Sequence, residues 1–195
     1  MPTDEFTYNY LFPTLVVCKD FGKVSANIIE VSKKIIQDYG EKPFNVPCVS
    51  TVNSYPNVLD LIEFKEIKEQ IVQTISVYTD VHKIDKSNLY FADSWINSYQ
   101  LHGYQDLHLH PDSMISGVYY IQSSGEKDFI FQAPYHFHQS IVPKYTETNL
   151  TNCHNVDYNS TEGRCILFMS HLMHRTLPAK SERISLSFNI KYKNV

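Results

Sequence analysis

Glycine is scarce in this chain, at 6 of 195 residues, and tryptophan is almost missing, at one. No repeat and no low-complexity tract occurs. No run reaches the roughly 18 apolar residues that a membrane span needs, so no membrane partner is expected. Residues 1–8 hold two acids, no Lys or Arg and no apolar run, so a secretory signal is not expected either. The sequons at Asn149 and Asn159 are then expected to be chance matches. Excess positive charge is lacking too: 17 Lys+Arg stand against 21 Asp+Glu, a formal charge of −4. A duplex nucleic-acid partner is therefore not expected. The four cysteines, Cys18, Cys48, Cys153 and Cys165, form no CxxC pair. That argues against a zinc finger and for unpaired thiols in a reducing, intracellular setting.

What the chain does have is aromatic and histidine content. There are 14 Tyr and 11 Phe, which with 19% charged residues excludes a disordered chain. Of nine His, all but His82 lie between His102 and His174. The length suits one domain, 1–195, in two parts. The first, 1–87, reads as a strand within 9–20, a helix over 24–39 and a second helix over 58–77. The second, 88–195, is short, aromatic and β-branched, with strands at 88–100, 115–123, 128–132, 164–169 and 183–192. Helices followed by strands predict an α+β, mainly β fold, with the helices on one face of an antiparallel sheet. Residues 135–163 read as a long polar loop.

The chemistry concentrates in Leu107-His108-Leu109-His110-Pro111-Asp112-Ser113. On an extended chain His108 and His110 point the same way and can reach one ion. His110-Pro111-Asp112 also has the His-x-Asp spacing of a two-His-one-carboxylate site. The remaining ligand must come from a distant strand, and His174 leads. Beyond it, alternation in Arg183-Ile184-Ser185-Leu186-Ser187-Phe188-Asn189 puts Arg183, Ser185 and Ser187 on one face and Ile184, Leu186 and Phe188 on the other. An inward guanidinium requires an anion. A carboxylate-bearing cosubstrate would supply it, with Ser185 hydrogen-bonding the same group. Ser116, Val118 and Tyr120 share a face, so Tyr120 can offer its hydroxyl there, and Ser116 is a further candidate.

In order, His-x-His-Pro-x-Ser, Ser-Gly-Val-Tyr-Tyr, a distal His and Arg-x-Ser-x-Ser-Phe-Asn, this pattern resembles the iron(II)- and 2-oxoglutarate-dependent oxygenases. More narrowly it resembles their small family in marine bacteria and phages. Leu11-Phe12-Pro13-Thr14, Trp95-Ile96-Asn97 and Glu162-Gly163 add to the likeness. The resemblance implies a double-stranded β-helix (a cupin-like jelly-roll). It implies Fe(II), 2-oxoglutarate and O2, a hydroxylase activity, and a small-molecule or peptide substrate. It implies that Arg183 binds 2-oxoglutarate and that Asn97 approaches it. A cytoplasmic, phage-encoded protein in a bacterial host fits it. Two ligand sets stay open: His108, His110 and His174, or His110, Asp112 and His174. Aligning the Ser-Gly-Val-Tyr-Tyr strand favours His108. His136, His138 and His171 are expected around the mouth, and His82, His102 and His154 to be incidental. The alternatives are a cupin-like metalloenzyme without 2-oxoglutarate, which the three-His set would suit, and a non-catalytic jelly-roll binding or structural protein.

Overall fold

A computed structural model describes residues 7, 11–42, 47–55, 57–134 and 143–193. Two antiparallel sheets face each other. The larger contains β1 (Val16–Asp20), β2 (Val49–Ser50), β3 (Leu89–Tyr99), β5 (Ile115–Gln122), β8 (Arg164–Met169) and β10 (Arg183–Tyr192), in the order β1-β8-β5-β10-β3-β2. The smaller contains β4 (Gln105–His108), β6 (Lys127–Gln132), β7 (Asn155–Asn159) and β9 (His174–Thr176), in the order β4-β9-β6-β7. From β3 onward the chain passes back and forth between the sheets, with β6 and β7 successive strands of the smaller one, as in a double-stranded β-helix. β1 and β2 precede residue 88, yet both are strands of the larger sheet.

The period of two in β10 divides its work. Ile184, Leu186 and Phe188 are buried in one cluster with Ile28, Ile35, Phe64, Ile67 and Ile71 from the helical part of the chain. Each such side chain contributes about 1.5–3 kcal/mol by leaving water. Arg183, Ser185, Ser187 and Asn189 lie on the opposite face, between the sheets. There Val118, Tyr120, Phe129, Phe131, Ile166 and Phe168 form a second cluster. Gly117 pairs with Phe188, and a Cβ at that position would stand 2.3 Å from the ring. The missing side chain at Gly117 is what leaves room for the ring.

α1 (Ala26–Tyr39) follows the sequence reading. Its N-cap Ser25 accepts from the Ile28 amide, and it ends at Gly40. α2 corrects it. The helix runs Lys65–His82, not 58–77. Residues 58–60 and 62–64 are single 3-10 turns separated by Leu61, which is extended at φ −73°, ψ 139°. The Leu59 amide is taken by the Ser94 hydroxyl of β3, so a tertiary contact captures the chain before a helix can begin there. Two further differences concern strands. β1 starts only at Val16, with Leu11 and Phe12 exposed. β7 lies inside the segment expected to be loop, because β6 offers it a free edge. Among the described residues no helix is long and apolar enough to cross a membrane. The four cysteines are unpaired.

Candidate metal and cosubstrate site

β4 and β9 are paired so that His108 stands opposite His174. His110 lies two residues beyond His108, its amide held by the Ser170 carbonyl at 2.9 Å. The result is a cluster in which one ligand atom from each of His108, His110 and His174 lies within 4.8 Å of the others. The first of the two expected ligand sets is therefore the one the fold brings together. Asp112 is exposed, in the turn after Pro111, and is not part of this cluster.

Two imidazoles are oriented from behind. His108 Nδ1 meets the Asp106 carbonyl at 2.7 Å and His174 Nδ1 meets the Leu172 carbonyl at 2.8 Å. A carbonyl can only accept, so each Nδ1 carries the proton and each Nε2 keeps a lone pair for a metal. Burial acts in the same direction. It lowers the His108 pKa, and it pushes His110 down to about 4 and His174 down to about 3. All three rings are then neutral at physiological pH, the form that ligates.

The cluster opens on a cavity of about 380 Å³ between the sheets. Trp95 is beside His110, with ring centroids 5.9 Å apart, and Phe168 packs edge-on to His174. Arg183, 2% exposed, lines the same cavity, with Tyr99, Tyr120 and Ser185. The Arg183 guanidinium lies over the Tyr99 ring at 4.4 Å. Its Nη1 donates to Asp128. Among the described residues its Nε and Nη2 are buried without a partner, and so is the Tyr120 hydroxyl. The sequence reading gave Arg183 no protein anion. Asp128 is one, but it leaves part of the guanidinium unspent.

Asn97 lines the cavity and donates to Ser187 at 3.0 Å. Ser116 is spent elsewhere: it bonds Ser170 at 2.8 Å and Asn189 at 2.7 Å, and it is not among the cavity-lining residues. Asn189 donates in turn to Asp93 at 2.7 Å. Burial raises the pKa of Asp93, and the Asn189 bond opposes that rise. Neither Asp93 nor Asp128 was legible as a site residue. Each is a single acid in an aromatic strand, and only the partner strand shows what it faces. His171, His102 and His82 are exposed. His136 and His138 lie outside the described residues.

Fold and site together define a double-stranded β-helix protein with a three-His cluster that could hold a metal ion. Residues 93–189 match a family model described as "Putative 2OG-Fe(II) oxygenase". That match, over 97 of the 195 residues, and the structural neighbours together indicate a 2-oxoglutarate–iron(II) oxygenase, an oxidoreductase by class. Solved structures share the fold. A Pseudomonas putida prolyl-4-hydroxylase aligns with TM-score 0.65 at 11% identity, over 93% of this chain and 94% of its own. A viral collagen prolyl hydroxylase from Paramecium bursaria Chlorella virus-1, solved with 2-oxoglutarate, aligns with TM-score 0.60 at 15% identity, over 91% and 96%. HygX from Streptomyces hygroscopicus, solved with nickel, 2-oxoglutarate and hygromycin B, aligns with TM-score 0.58 at 14% identity, over 92% and 84%. No curated protein matches in sequence. Iron(II) and 2-oxoglutarate are the metal and cosubstrate of the family, and His108, His110 and His174 could hold the iron.

Proposed function

We propose that the chain is a hydroxylase that couples oxidation of a small-molecule or peptide substrate to decarboxylation of 2-oxoglutarate. The observation that carries this reading is the pairing, in one cavity, of three neutral imidazoles with an underused buried guanidinium. A three-His cluster alone would serve a cupin-like enzyme that uses no oxo acid. Such an enzyme has no need of a buried cation with two nitrogens unspent.

His108, His110 and His174 would hold the metal, His108 and His174 with the Nε2 that their Nδ1 hydrogen bonds leave free. The far carboxylate of the cosubstrate takes the free nitrogens of Arg183, with the Tyr120 and Ser185 hydroxyls as added donors. When bound, iron(II) and 2-oxoglutarate supply the oxidising chemistry, in which O2 is consumed, the oxo acid becomes succinate and carbon dioxide, and one oxygen atom enters the substrate. Phe129, Phe168 and Val118 wall the cavity with apolar surface and keep water from the reacting groups. Asn97 is held off by Ser187 on the same wall and orients what lies between. Asp112, exposed beyond Pro111 and not among the residues that line the cavity, has no part in this reading.

Replacing His174 by Ala removes the most buried ligand. Iron content, measured by elemental analysis, falls to background, and succinate formation from 2-oxoglutarate stops. Normal 2-oxoglutarate consumption in that variant would sink the assignment.

A further inference from the structure

Asp128 has no role in the reading above, yet its placement is unusual. The β6–β7 register runs Lys127↔Asn159 and then Phe129↔Tyr158, so Asp128 is an extra residue on β6. Simple alternation would turn it away from the face that carries Phe129. An extra residue re-aims its side chain, and here both neighbours are buried, Asp128 at 3% and Phe129 at 4% exposure. The carboxylate so delivered accepts from Arg183 Nη1. Tyr99 covers one face of the same guanidinium. With one end pinned and one face covered, what remains is the edge formed by Nε and Nη2, whose hydrogens are parallel and have no partner among the described residues. That edge is the fork a carboxylate takes with both oxygens.

We infer that Asp128 is a positioning residue for the cosubstrate. It fixes the guanidinium so that its open edge lies at one distance from the metal cluster, and it thereby selects diacids of one chain length. The inference rests on the 2-oxoglutarate reading of the cavity. Charge supports it. Arg183 and Asp128 together are formally neutral, so the site does not draw every anion by its field. It retains the anion that fits the fork.

The test is calorimetric binding of 2-oxoglutarate, and of succinate, glutarate and adipate as probes without a keto group. The protein is iron(II)-loaded, under nitrogen, as wild type, Asp128→Ala and Asp128→Asn. The Ala variant loses the pin, and its Kd for 2-oxoglutarate rises about tenfold or more, the loss expected for one charge-assisted hydrogen bond. Its preference for glutarate over succinate and adipate disappears. The Asn variant keeps an oxygen acceptor for Nη1 and restores both properties, a rescue that a charge-only role does not give. Wild-type affinities and preferences in both variants would overturn the inference and leave the pair a packing feature. Tighter binding in both would overturn it too, because Asp128 would then compete with the ligand. If Asp128→Ala does not fold, Asp128→Glu carries the test. It keeps the charge, moves the pin by one methylene and shifts the chain-length preference, and an unshifted preference overturns the inference. If wild type itself binds no 2-oxoglutarate, the reading of the cavity fails and the inference falls with it.

Discussion

At the scale of single residues, the absence of a side chain at position 117 is a packing requirement. An added Cβ would meet the Phe188 ring at 2.3 Å and Leu167 at 2.7 Å. Both are buried side chains with no room to retreat. Gly117→Ala is expected to cost about 1–3 kcal/mol, the usual cost of overpacking a core, read from urea unfolding at constant m-value. Thiol chemistry gives a second expectation at this scale. Burial pushes the Cys48 thiol up to about 11 and the Cys165 thiol up to about 12. The thiolate is the form that reacts, so neither is alkylated by iodoacetamide at pH 8 in the folded protein, and both are alkylated in urea. Mass mapping of the labelled peptides checks this. Single residues were also where the sequence was most and least readable. Arg183 and its alternating neighbours declared their face through a strict period of two. Asp128 could not, because the extra residue on β6 breaks that period and no local signal marks where a strand will slip.

At the scale of elements, β1 is a peripheral strand tied to β8 through Arg164 and Asp20. Arg164 Nε and Nη2 donate to the two Asp20 oxygens at 2.6 and 2.8 Å. The Arg164 side-chain hydrogen bond is the main reason the Asp20 pKa lies below its ordinary value. Asp20 is half exposed, so the pair is worth at most about 1 kcal/mol. A depressed carboxylate stabilises above its unfolded pKa and loses that contribution as pH falls through the lower, folded value. Asp20→Asn is therefore less stable than wild type at pH 7, by up to about 1 kcal/mol, and the gap closes below about pH 3.8. Paired urea melts at the two pH values measure it. The helices show the limits of periodic reading in another way. α1 carries its own start signal in Ser25 and its own stop in Gly40, so its bounds were legible. The start of α2 is set by Ser94 from a strand 35 residues away, and nothing in residues 58–64 announces that capture.

At the scale of the whole molecule, His108 and His174 become neighbours only because two short strands, β4 and β9, pair across 65 intervening positions. Their residue types and local spacing could be read from the chain, and so could the choice of His174 as the distant partner. Between His108 and Asp112 only the family resemblance leaned to His108, since local spacing does not show where β4 ends and the turn at Pro111 begins. The site is built on the inner faces of both sheets, and the helices pack on the outer face of the larger one. β10 belongs to both regions at once. Its parity therefore separates two kinds of mutational phenotype along one strand. Alanine at the even positions 184, 186 and 188 is expected to lower the melting temperature. Alanine at the odd positions 185 and 187 is expected to leave melting nearly unchanged and to alter the handling of ligand. A sequence drifting under selection could then change what the cavity accepts, two residues at a time, without loosening the core on the other side of the same backbone.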